Sequence, residues 1–120
     1  MRLAIVTVAN RGNMMMERIH LRVAMDADAS YYVIFSTVEL APQTVMTIPN
    51  HAYWFPHKIL RPGDNVVVYT RGGVNNSVVR PDGGTDHFFF WGRPATVWTN
   101  PAACAVLMEL NAWNTFKVTG

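Results

Sequence analysis

Residues 51 to 70 read HAYWFPHKILRPGDNVVVYT, and after a loop rich in glycine and asparagine residues 86 to 92 read DHFFFWG. The span His51–Gly92 holds two of the four tryptophans (Trp54 and Trp91), four of the six phenylalanines and two of the four tyrosines. Arg61-Pro62-Gly63-Asp64 at its centre puts proline second and glycine third, the order of a type II turn. On either side lie short runs of aromatic and β-branched residues, which suit a pleated, half-buried surface. Asn65–Thr70 reads as a strand buried for much of its length. His87–Gly92, with large rings on both faces, fits a strand covered on both sides or lying at a contact.

The rest of the chain follows the same grammar. Leu3–Ala9 is a continuous β-branched run stopped by Asn10-Arg11-Gly12-Asn13, residues that tolerate the positive φ of a reversal. Met14-Met15-Met16 then fits a strand start or a loosely packed loop, or an adaptable contact built on thioethers. In Glu17–Val23 the side chains Ile19, Leu21 and Val23 alternate with Arg18, His20 and Arg22, the period of a strand with one buried and one wet face. The wet face is a small basic stripe, open to reading as a solvated surface or as a contact for an anion or acidic partner.

Tyr31–Thr37 is a third long strand, followed by Val38–Asn50, where Pro42 and Pro49 favour an edge strand crossing between sheets. Arg71–Asp86 carries four glycines in sixteen residues and suits a long loop or a frayed hairpin with Val78-Val79 in one arm. Thr96–Trp98 is a short extended piece. Ala102–Leu110 lacks a 3.6-residue period and is assigned as a last strand. Seven to eight short strands with regular turn signals give an all-β sandwich over residues 1–110, with a closed barrel as second choice, and a tail over 111–120.

Composition narrows function mainly by exclusion. Half of the 120 residues are hydrophobic and 15% charged, enough apolar surface for a core. Net charge is +2, from eight Arg and two Lys against eight acids, which makes nucleic acid an unfavoured partner. Cys104 is the one cysteine, so an internal disulfide and a cysteine-based zinc cluster are excluded. Its apolar surroundings make a buried, inert thiol the expectation. Asp26 and Asp28 lack the further ligands of a calcium loop. The run after Met1 ends too soon for a signal peptide, and no apolar run approaches a membrane span of about 20 residues. A cytoplasmic protein, bacterial or from a virus of bacteria, is the simplest expectation.

Several of these segments, in order, resemble lamin-tail-type domains. They are Glu17-Arg18-Ile19-His20-Leu21, Tyr53-Trp54-Phe55, Leu60-Arg61-Pro62-Gly63-Asp64 leading into Val66–Tyr69, Phe90-Trp91-Gly92, and Val97-Trp98-Thr99-Asn100 before Ala105-Val106-Leu107. The chain is also similar to small single-domain bacterial proteins that carry Tyr-Trp-Phe-Pro and Phe-Phe-x-x-Gly. It departs from the lamin-tail pattern in having no Leu-x-Gly-Trp segment after the second strand and in its long Arg71–Asp86 loop. The resemblance implies an immunoglobulin-like β-sandwich and a non-catalytic module that binds proteins, nucleic acid or surfaces.

Candidate chemistry is sparse. His51, His57 and His87 have no spacing that fixes metal ligands on one face, and no metal or cofactor is expected. Asp86-His87 lacks a nucleophile elbow, so no catalytic residue is assigned and an enzyme is disfavoured. The most suggestive grouping is aromatic rings near arginines: Tyr53, Trp54, His87 and Trp91 with Arg71, Arg80 and Arg93, beside Phe88 and Phe90. Such a set suits stacking of a base and holding of a phosphate, or simply a core. The functional expectation is a binding or assembly module that self-associates through an aromatic surface. The alternative is a protein that binds a small anionic nucleotide, and a small hydrolase comes third.

Overall fold

The computed structural model describes residues 1–119. The chain is almost entirely β: eight strands of four or more residues, three two-residue strands and a single 3-10 turn at Ala29–Tyr31. β1 (Leu3–Ala9), β2 (Arg18–Val23), β8 (Asn65–Tyr69), β10 (Thr85–Phe90) and β9 (Asn76–Val79) form one sheet in the spatial order β1-β2-β8-β10-β9. β11 (Ala103–Glu109), β4 (Tyr32–Ala41) and β6 (His51–Trp54) form the second, extended by β5 (Thr44–Val45) on β4. β3 (Ala27–Asp28) and β7 (Ile59–Leu60) make a small ribbon beside them.

The two sheets pack as a sandwich because each strand turns its apolar positions inward. Ile19, Leu21 and Val23 of β2, Val66 and Val68 of β8, and Phe89 of β10 are buried from one side, and Tyr32 and Ile34 of β4 from the other. Phe55, just after β6, meets Phe89 edge to face across the interior, with centroids 5.1 Å apart and planes at 88°. Tyr53 closes on Phe55 in the same manner at 5.0 Å. Such edge-to-face pairs add to what area burial alone supplies.

The turn at 61–64 forms as its residues dictate. Gly63 has φ 87°, the conformation a type II turn requires at its third position, and the Asp64 N–H donates to the Arg61 carbonyl at 3.0 Å. Asn10 and Gly12 likewise take positive φ, 53° and 82°, to reverse the chain between β1 and β2. Met14–Met16 lie in that loop rather than in a strand.

Other expectations needed revision. Val38–Asn50 does not cross between sheets: β4 runs on to Ala41 and turns back at once as β5. Pro42 falls in that turn, where its missing N–H leaves no ladder bond unmade. Cys104 is half-buried, not buried, because β11 places it on the outer face of its sheet opposite Thr37. Thr96–Trp98 is unpaired and is held by Glu17 instead. In Arg71–Asp86 the hairpin reading holds: β9 pairs antiparallel with β10. β10 is inserted between β9 and β8, and among the described residues its pairing with β8 is the only parallel one.

Candidate ligand-binding face

The five-stranded sheet has one covered face and one open one, and the register fixes what the open face carries. Arg18 lies beside Tyr69, which lies beside Phe90. One row along, His20, Val67, Phe88 and Asn76 stand side by side. The third row is Arg22, Asn65, Asp86 and Val78. Val67 is buried beneath its neighbours and forms an apolar floor, and the cleft above holds about 420 Å³.

Two cations on this face, Arg18 and Arg71, are held in place without being neutralised. Arg71 lies over both the Tyr69 and Phe90 rings, 4.9 and 5.0 Å from their centroids, and donates to the carbonyls of Met15 and Gly72. The two rings beneath it are nearly coplanar in orientation, at 10°. Gly73 passes so close to the Phe90 ring that a Cβ there would collide with it. Arg18 approaches Tyr69 to 5.9 Å, donates through Nε to His20 Nε2 at 2.9 Å, and donates to the Met16 carbonyl. Among the described residues neither Arg18, Arg22 nor Arg71 pairs with a carboxylate. Burial and the Arg18 charge both push the His20 imidazole below its ordinary value.

The seven residues singled out from the sequence are dispersed. Arg71 belongs to the open face. Arg80 is bound to Asp86 at 2.6 Å, to Asp82 at 3.2 Å and to the Gly63 carbonyl. Tyr53 and Trp91 face inward and touch at 5.8 Å, with Trp91 also against buried Trp98. Burial raises the Tyr53 hydroxyl to about 12. Arg93 is half-buried in the turn after β10, where its N–H donates to the Thr70 carbonyl. Trp54 is on the other sheet, 50% exposed.

His87 has a different environment again. Its Nε2 lies 2.9 Å from Asp64 Oδ2, and its Nδ1 lies 2.9 Å from Ser77 Oγ, the residue directly across on β9. Asp64 also accepts from the N–H groups of Arg61 and Thr85. Burial alone would raise this carboxyl, but the bonds from His87, Arg61 and Thr85 outweigh it and hold it below the usual range. The order Ser77–His87–Asp64 is that of a nucleophile, base and acid. Neither the cleft above Val67 nor the one beside Tyr32 and Glu109 includes these residues. The bonds tie the 61–64 turn to β10 and β9. Nothing local marks Ser77 in the sequence; only the strand register brings it to His87.

The second sheet presents an outer face of opposite character. Met108, Val33 and Trp54 form one cross-strand row, and Val106, Phe35 and Ala52 the next. Cys104 continues β11 on the same face, and no charged side chain interrupts these rows. Trp54 donates its Nε1–H to the Ser30 carbonyl, and Trp113 of the tail packs edge-on against both Trp54 and Tyr31. A further cleft, about 480 Å³, lies at the strand end beside it, lined by Arg2, Asp28, Tyr32 and Glu109 among others. There Glu109 accepts from the Tyr32 hydroxyl at 2.5 Å and pairs with Arg2 at 3.7 Å, so its charges are already matched.

No protein-family model matches this chain, and no curated protein matches it. Among the described residues no group of three or more His, Cys, Asp or Glu is placed to hold a metal ion. None of the helical residues described is in a helix long and apolar enough to cross a membrane.

Proposed function

We propose that this protein is a non-catalytic assembly module that self-associates through the outer face of the β11-β4-β6 sheet. The observation that carries this reading is the uncharged apolar surface itself. Trp54 and Met108, at the two ends of one row, are 50% and 48% exposed, and Phe116 and Val118 of the adjoining tail are 89% and 87% exposed. Apolar surface of this kind, gathered on one face, marks a contact. A second copy is the occupant that fits, since a flat face of one chemistry is complementary to itself about a two-fold axis.

The reading includes the resemblance to lamin-tail-type domains. Its landmark residues do structural work: Glu17 is a buried clamp, Pro62-Gly63 shapes a turn and Trp98 fills the core. That leaves contact chemistry to the sheet faces, as in a binding module rather than an enzyme.

Sedimentation velocity of three variants tests the reading. Trp54→Arg and Met108→Lys each place a charge in the contact and are expected to sediment as monomers where the unaltered chain sediments as a dimer. Arg22→Ala, on the opposite sheet, is expected to leave the dimer intact. A dimer that survives both charged substitutions overturns the proposal.

A further inference from the structure

The open face of the five-stranded sheet is chemically independent of the assembly face and lies on the other side of the sandwich. We infer that it binds single-stranded nucleic acid. A net charge of only +2 disfavours nucleic acid, but that sum hides where the charge stands. Arg18, Arg22 and Arg71 share one face, and among the described residues none has a carboxylate partner. Arg80, at its edge, is neutralised by Asp86 and Asp82.

Three features favour a single strand over other anions. Arg18 and Arg22 lie four residues apart on β2, about 14 Å at the rise of an extended strand, so the positive positions form a track and not a point. Arg18 and Arg71 are each fixed by backbone carbonyls and by the Tyr69 ring, which holds their charge in position before any ligand arrives. Phe88 stands half-exposed beside the Val67 floor, in the cross-strand row between those of Arg18 and Arg22, where a base can stack on it. Duplex DNA would keep its bases stacked inside, out of reach of Phe88. A free nucleotide would be left mostly in water on so shallow a surface, whereas small-ligand sites enclose most of their ligand.

Fluorescence anisotropy with a labelled oligothymidylate tests this, with unlabelled duplex DNA, polyphosphate and polyglutamate as competitors. The inference expects saturable binding whose affinity falls with salt at a log–log slope of about −2, from three phosphate contacts at about 0.7 each. Arg22→Ala should weaken binding and lower that slope by about 0.7, while Phe88→Leu, which keeps apolar volume but offers no ring, should weaken it about tenfold. Circular dichroism of each variant separates lost binding from lost folding. Absence of saturable binding at low salt overturns the inference. So does equal competition by duplex, polyphosphate or polyglutamate together with an unaffected Phe88→Leu variant. Trp54→Arg should bind as well as the unaltered chain, so failure here and failure of the assembly reading are distinct results.

Discussion

Two buried carboxylates organise this protein at the level of single residues. Glu17 is fully buried and accepts from Gly12 N–H, Thr70 Oγ1, Val97 N–H and Trp98 N–H, joining the first loop, the end of β8 and the segment before β11. Replacing it with alanine orphans three backbone donors and is expected to cost roughly 3–5 kcal/mol, read as a lower urea midpoint at unchanged slope. Asp64 gives stability that depends on pH. Its carboxyl is held below the ordinary value in the folded chain, so its contribution is whole above about pH 4, the unfolded carboxylate range, and is lost as pH falls through the folded value. His20 acts in a higher window. Its folded imidazole is also depressed, so the unfolded chain takes up its proton first and stability starts to fall below about pH 6.5. A melting series should therefore decline in two stages on acidification. His20→Asn should remove the upper stage alone.

Strands differ in how much of their role the sequence reveals. The alternation of β2 reads directly as one buried and one basic face, and the Pro-Gly turn before β8 reads directly as a type II turn. What sits beside β2 does not, because a period of two gives a side chain its face but not its neighbour. The aromatic–arginine grouping of residues 53–93 is dispersed because β6 and β10 belong to different sheets, and alternation sends Tyr53 inward and Trp54 outward. The parallel insertion of β10 beside β8 is what sets Phe88 and Phe90 in line with Arg18 and His20 through Val67 and Tyr69. The same register brings Ser77 to His87. If that chain of bonds is structural, Ser77→Ala should change stability by less than about 1 kcal/mol, while His87→Ala, which strips Asp64 of a buried partner, should cost about 2–3 kcal/mol. A fluorophosphonate probe should leave Ser77 unlabelled. Covalent labelling there would return the protein to the hydrolases.

Across the whole molecule, the sandwich separates two surfaces by chemistry. One sheet faces outward with arginines fixed over aromatic rings, the other with Trp54, Phe35, Val106 and Met108 and no charge among its rows. The β-sandwich and the strand-rich core were legible in the turn signals and periodicity. The apolar outer face was not, since β4, β6 and β11 are far apart in sequence and each looks like ordinary core strand alone. Only their pairing shows that inner and outer faces are both apolar, which a sheet with water on one side does not need. Light scattering over a rising concentration series measures the consequence most directly. The mass should climb from the 13.5 kDa of one chain to twice that value and stop there, as a closed two-fold contact requires. A mass that stays at 13.5 kDa into the millimolar range would contradict that contact.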